Sequence, residues 1–304
     1  MIPGKFTYHR AENKAQALQW LSQFGDDGRV LAGGHSLVPM MKLRLAMPGH
    51  LVDITRLREL KGVTVAGGRI EIGAMTTQAE LIGSEALTAS CPIIRETSMQ
   101  IADPQVRYCG TIGGNVGGGD PGNDLPALMQ CLNATYVLEK TGGSREVAAR
   151  NFYQGPFVTA LARGEMITKI RIPAPPAGHG YAYRKLKRKV GDYATAAAAV
   201  MLEMTGGKVG KAAIALTNVG GTPLYAKDAS DGLVGTSLEA ADIDAAAAAA
   251  EAIASPSDDG RGSAEYRRKM AGIMVRRALA EAKSRAGDIK PAPAQGGMFG
   301  WLRG

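Results

Sequence analysis

Paired cysteines, clustered histidines, aromatic rings and long apolar runs are scarce or absent in this 304-residue sequence. No uncharged apolar run approaches the ~20 residues of a membrane-spanning helix. The opening MIPGKFTYHRAENK lacks the apolar core of a secretory signal, so the expectation is a cytoplasmic protein without a transmembrane segment. Cys91, Cys109 and Cys131 stand 18 and 22 residues apart and form no CxxC pair. An iron–sulfur cluster takes four thiolates, two of them close together, and a disulfide framework takes an even number. The cysteines therefore read as buried or free thiols in a reducing compartment. His9, His35, His50 and His179 form no HxH or HxxxH pair, so no protein-borne metal is expected. No GxxxxGKS/T, GxSxG or HExxH occurs, and no catalytic residue is nominated. Aromatics make up only 5%. The net charge of +8 raises nucleic acid as a partner, but few rings interleave with the two densest basic clusters, Arg184–Lys189 and Arg267–Arg277. Base stacking has little to work with, and nucleic-acid binding is the disfavoured alternative.

What the chain does have is length, 45% hydrophobic residues and 40 glycines, enough for a substantial core with many tight turns. Residues 14–24 place Ala15, Leu18, Leu21 and Phe24 at helical spacing. Val30–Ala32 and His50–Ile54 read as strands, with a helix after Pro39 between them. Residues 63–75 alternate around Gly67-Gly68, a hairpin signal. Thr77 and Glu80 form a helix-start pair, and helices are expected over 93–101 and 125–132. IPAPPAGHG at 172–180 is the clearest boundary. Beyond it, three strands (181–187, 196–204 and 211–219) precede Ala-rich helices over 239–254 and 263–286. The expected organisation is residues 1–177 (subdomains about 1–55 and 56–177), a C-terminal α+β unit over 178–286, and a flexible tail over 287–304.

Two glycine segments carry the chemistry. Ala32-Gly33-Gly34-His35-Ser36 sits between a strand and a helix, and Thr111-Ile112-Gly113-Gly114-Asn115 repeats the polar decoration further on. Glycines there let backbone N–H groups approach an anion. Two such loops meeting in space would hold a diphosphate without a lysine; the other reading is two tight turns. Gly117, Gly119 and Gly122 match GxGxxG formally, but Asp120-Pro121 breaks the helix that motif requires. Asp120 and Asp124 read either as acceptors for sugar or ribityl hydroxyls or as caps of the helix near Leu125.

With these segments, IADPQVRYCGTIGGN at 101–115, TIGGNVGGGDPGNDLPALM at 111–129 and KLKRKVGDYATAAAAV at 185–200, the chain resembles the FAD-binding subunits of molybdenum-containing hydroxylases over residues 1–286. Within that family the likeness is to the medium subunit of aerobic carbon monoxide dehydrogenase. The resemblance implies an α+β fold: a FAD-binding unit of the vanillyl-alcohol oxidase type with two α+β subdomains, then three antiparallel strands and a helix bundle. It implies FAD held at Ala32, Gly33, Gly34, His35, Ser36, Thr111, Ile112, Gly113, Gly114 and Asn115. Ile101, Ala102, Asp103, Val106, Asp124, Leu161, Lys185 and Tyr193 would line the cofactor. Tyr193 is the candidate for covering the ring, and Lys185 for facing negative charge on reduced flavin. The molybdenum cofactor and [2Fe-2S] clusters would sit on a large and a small partner subunit, in a dimer of heterotrimers. The implied function is an oxidoreductase subunit passing electrons from the clusters through FAD to an external acceptor such as a quinone. Association with the inner face of the cell membrane stays open, as does a related hydroxylase acting on a purine or aromatic substrate.

Overall fold

The computed structural model describes residues 1–287. The chain opens with β1 (Thr7–Arg10), α1 (Lys14–Phe24), β2 (Gly28–Leu31), α2 (Leu37–Lys42) and β3 (His50–Asp53). The three strands form a parallel sheet in the order β1-β3-β2. Asn13 caps α1 by accepting from Gln16 N–H, and Ala17, Leu18 and Leu21 are its buried face. Helix α2 begins at Leu37, two residues before Pro39. Pro39 still lies in the first turn, where a missing N–H donor breaks no intrahelical bond.

The next stretch comprises β4 (Val63–Ala66), β5 (Arg69–Gly73), α3 (Gln78–Gly83), α4 (Glu85–Ser90), α5 (Ile93–Met99), α6 (Pro104–Cys109), α7 (Ile112–Gly117) and α8 (Asp124–Cys131). It continues through β6 (Thr135–Lys140), β7 (Gly143–Ala148), β8 (Tyr153–Gly155), β9 (Val158–Thr159) and β10 (Met166–Pro173). Gly67 and Gly68 close the β4–β5 hairpin with φ of 57° and 72°, the left-handed pair a two-residue turn needs. Thr77 and Glu80 make a reciprocal capping box at α3. Strand order β4-β5-β10-β6-β7 places β10 at the centre of an antiparallel sheet. Helices α6 and α7 lie where the sequence predicts no helix. Each has a side-chain cap, Asp103 and Thr111, that recruits the following residues into a turn.

After Pro173 come β11 (Gly180–Leu186), β12 (Ala196–Thr205), β13 (Lys208–Thr217), β14 (Leu224–Tyr225), α9 (Lys227–Asp231), α10 (Ala240–Ile253) and α11 (Ala264–Arg285). The sheet order is β11-β12-β13-β14, so a two-residue fourth strand joins the three expected from the sequence. Helices cover both faces of this sheet. Ala197, Ala199 and Met201 of β12 join the core that also contains α8, while Ala198, Val200 and Leu202 join the core under α10 and α11. Alternation along the strand sends neighbours to opposite faces, and small side chains let helices close on both. All eight residues of α8 are buried, and the helix packs on β12, β13 and β14 of this sheet as well as on α5 and α7, so α8 lies at the seam between the earlier elements and this sheet. Of the tail expected to be flexible, Gly287 donates its N–H to Gly178 O at 2.8 Å, and residues 288–304 lie outside the described residues.

Candidate cofactor-binding site

The two glycine segments meet. A Cβ on Gly33 would collide with the Cys109 carbonyl oxygen and stand 2.9 Å from Gly110 Cα, so only glycine lets the first segment lie on the α6–α7 connection. Gly34 has φ 74°, the left-handed turn that leads into α2. A Cβ on Gly114 would be 3.6 Å from the Ala32 Cβ, which brings the second segment against the first. Among the described residues, no protein group accepts from the N–H groups of Gly33, Gly34, His35 or Ser36. His35 and Ser36 are exposed. Four successive unpaired donors on a glycine turn form a cradle for an anion.

The second segment does not supply such donors, contrary to expectation. Thr111 caps α7 by accepting from Gly114 N–H at 3.0 Å. Ile112 N–H donates to Thr76 O, Gly113 N–H to Ala74 O and Asn115 N–H to Thr111 O, at 2.9, 2.8 and 3.0 Å. Neither Gly113 nor Gly114 has positive φ. Their work is steric. A Cβ on Gly113 would sit 2.7 Å from Ala74 O, whereas Gly114 is exposed and leaves room above Ala32. Ile112 points into the core. The Asn115 side-chain oxygen, on the same helix as Gly114, is buried with no protein donor, an orphaned acceptor that suits a ligand hydroxyl. The Asn115 backbone carbonyl accepts from Asn123 Nδ2 at 2.8 Å.

The connection from α5 to α6 carries further residues expected to line the cofactor. Ile101 is buried, Ala102 holds φ 41°, and Asp103 caps α6 by accepting from Val106 N–H at 2.9 Å. The Asp103 carboxylate is thus turned to its own helix. Gly119, φ 63°, receives a hydrogen bond from Phe157 N–H at 2.8 Å, which lays the β8–β9 hairpin over Gly117–Gly119. Leu161 follows that hairpin, half-buried against the core. The GxGxxG match therefore falls on a helix end and a turn.

Asp124 neither caps α8 nor waits for a hydroxyl. Its oxygens accept from Tyr183 Oη at 2.6 Å and Lys185 Nζ at 2.7 Å, and the Asp124 and Lys185 side chains are 5% and 2% exposed. Burial pushes the Asp124 carboxyl up, while the Lys185 ammonium and the Tyr183 hydroxyl draw it back without cancelling the shift. Lys185 thus has its countercharge inside the protein, which leaves little of its field for a flavin. Asp120 does not cap α8 either: it accepts from Gly122 N–H at 2.8 Å and Tyr193 Oη at 3.2 Å. Tyr193, 43% exposed, rests on Gly122, where a Cβ would be 2.8 Å from its ring, and the Arg261 guanidinium lies 5.6 Å from the ring centre. Burial and Asp120 push its phenol up to about 12. Sequence reasoning overlooked Tyr183. Its position two residues before Lys185 on β11 puts both on one strand face, which is the signal that identifies it. Among the described residues, no group of three or more His, Cys, Asp and Glu side chains is placed to hold a metal ion.

A cradle of free N–H donors, open space over glycine, an orphaned acceptor and an aromatic ring at the seam fit an extended dinucleotide with a flat ring system. Comparisons with known proteins agree. Residues 4–175 match the family model described as FAD binding domain in molybdopterin dehydrogenase, and residues 181–282 match the CO dehydrogenase flavoprotein C-terminal domain. The carbon monoxide dehydrogenase medium chain of Afipia carboxidovorans is 61% identical over 94% of this chain and 99% of its own length. That of Hydrogenophaga pseudoflava is 47% identical over 94% and 99%. The crystal structure of the Cu,Mo-CO dehydrogenase in its cyanide-inactivated form contains a chain that superposes with a TM-score of 0.93 at 61% identity, covering 94% of this chain and 100% of that one. The chain accordingly belongs to the family of FAD-binding subunits of molybdopterin dehydrogenases.

Proposed function

We propose that this protein is the FAD-carrying subunit of a molybdenum-containing carbon monoxide dehydrogenase and links [2Fe-2S] clusters on a partner to an external electron acceptor. The observation that carries the flavin role is the packing of Gly33 on Cys109–Gly110, which joins the two glycine segments under four unpaired N–H groups. The substrate, carbon monoxide, rests on the medium-chain relatives, which cover 94% of this chain and 99% of their own length. FAD, when bound, supplies the ability to take electrons singly and release them in pairs. Gly33 to Ser36 would hold the diphosphate, Asn115 would accept from a hydroxyl, and Ile101–Ala102 and Tyr193 would bound the ring. Asp124, Tyr183 and Lys185 hold the seam closed behind it. None of these residues needs to move a proton in carbon monoxide oxidation, because the site is built for binding and orientation.

We read residues 1–177 as the flavin-holding unit and 178–286 as its cover. The partners are a large molybdenum-cofactor subunit and a small [2Fe-2S] subunit, arranged as a dimer of heterotrimers, with a quinone as acceptor. Among the described residues, no helix is long and apolar enough to cross a membrane. We place the complex in the cytoplasm, where docking on the inner face of the membrane would serve a quinone. Purification with and without the two partner subunits tests this assignment. The complex is expected to show flavin absorption near about 450 nm and to reduce an artificial acceptor with carbon monoxide, while the chain alone does not oxidise it. A flavin-free complex, or carbon monoxide oxidation by the lone chain, contradicts it.

A further inference from the structure

Ala102 is one of the few non-glycine residues with a left-handed backbone, φ 41°, and it lies in the connection between α5 and α6, which the proposed function assigns to the flavin. Such a conformation persists only where the surroundings impose it, and strain of this kind gathers at functional sites. The surroundings are cationic. Arg107 Nη1 donates to the carbonyl of Ile101 at 2.7 Å and to that of Ala102 at 3.3 Å. Lys185 Nζ donates to the carbonyl of Gln100 at 3.3 Å, and Lys187 Nζ to the Gln100 side-chain oxygen at 2.9 Å. Three consecutive carbonyls are thus drawn to basic side chains, two of them to a single nitrogen.

Peptide planarity turns this into a statement about the opposite side. Across a trans peptide, the C=O of one residue and the N–H of the next point in opposite directions, and the described residues contain no cis bond. Holding the Ile101 and Ala102 carbonyls on Arg107 therefore aims the N–H groups of Ala102 and Asp103 away from it. Neither N–H has a protein acceptor among the described residues. We propose that Arg107 is a positioning residue for the flavin: by gathering the Ile101 and Ala102 carbonyls it locks the left-handed turn and presents the Ala102 and Asp103 N–H groups as a donor pair to the electron-rich edge of the ring system. Hydrogen bonds and positive charge at that edge are the means by which a protein tunes a flavin. Arg107 does so through the backbone it holds.

This inference rests on the flavin reading above, and the experiment separates the two. The complex is prepared with the parent chain, with Arg107→Met, and with Arg107→Met combined with Ala102→Gly. Each is freed of flavin and titrated with FAD, and the absorption band, flavin reduction potential and melting temperature are recorded. Arg107→Met is expected to weaken FAD binding at least tenfold and to lower the flavin potential, because the donor pair no longer favours the reduced, more negative ring. Glycine takes the left-handed conformation without strain, so Ala102→Gly is expected to restore at least a third of the lost affinity. A melting temperature that falls while affinity, band and potential stay at parent values would make Arg107 a merely structural residue and overturn the proposal. Failure of the second substitution to restore affinity overturns the route through Ala102. A parent complex that takes up no FAD overturns the flavin reading itself.

Discussion

Gly114→Val binds FAD at least about a hundredfold more weakly than the parent, a loss of roughly 3 kcal/mol, and stays folded. The reasoning differs from the one the sequence invites. Gly114 has no positive φ and its N–H is committed to Thr111, so neither backbone freedom nor a lost donor is at issue. Valine is no worse than glycine inside a helix, which protects α7. The new Cβ meets Thr111 Oγ1 at 2.9 Å, and a small shift of the cap relieves that contact. Even complete loss of the cap costs only about 0.5–2 kcal/mol. The branched methyls then fill the space above Ala32, 3.6 Å from the new Cβ, where the first segment's donors need an unobstructed ligand. Titration of the flavin-free complex reads the effect, with melting temperature as the folding control. Parent-like affinity would remove the diphosphate from the gap between the two segments.

The largest expected loss of stability comes from Asp124→Asn. It leaves the Lys185 ammonium, its side chain 2% exposed, without a carboxylate. Breaking a buried pair from one side costs about 3–5 kcal/mol, because the remaining charge is stranded in a poorly polarisable interior. Removing both charges, in Asp124→Asn with Lys185→Gln, is expected to recover most of that loss, since amides can keep hydrogen bonds to Tyr183 and to Gln100 O. Denaturant unfolding of the two single variants and the double gives the coupling. If the double variant is as unstable as the sum of the singles, the pair is not the element that holds the seam.

Much of the fold is legible in the sequence because its signals are local. The periodicity of Lys14–Phe24, the Gly67-Gly68 turn and the Thr77–Glu80 box act within a few residues, and each element forms where they point. Helix α7 escapes such a reading because Ile-Gly-Gly-Asn-Val-Gly has poor helix propensity. What makes it a helix is the Thr111 cap together with backbone bonds to Ala74 and Thr76, some 40 residues back in the chain. The two glycine segments were also legible, but the allocation of tasks within them was not. Gly33 and Gly114 look alike in sequence. One is needed for contact with the Cys109–Gly110 backbone and the other for vacant space, and only the fold distinguishes them. Asp124 and Lys185 are 61 positions apart, so their mutual neutralisation depends on the fold bringing the start of α8 to the end of β11. Local reading assigns each charge a separate outward role for the same reason.

Amide hydrogen exchange across residues 32–37 and 111–116, with and without FAD in the assembled complex, tests the central claim most directly. The N–H groups of Gly33 to Ser36 have no protein acceptor, whereas those of Ile112 to Asn115 are all engaged. FAD is therefore expected to slow exchange in the first segment by at least about tenfold, an added protection of roughly 1.4 kcal/mol, and to change the second segment far less. Equal exchange in the first segment with FAD bound would contradict the account, because the diphosphate would then be held by other groups.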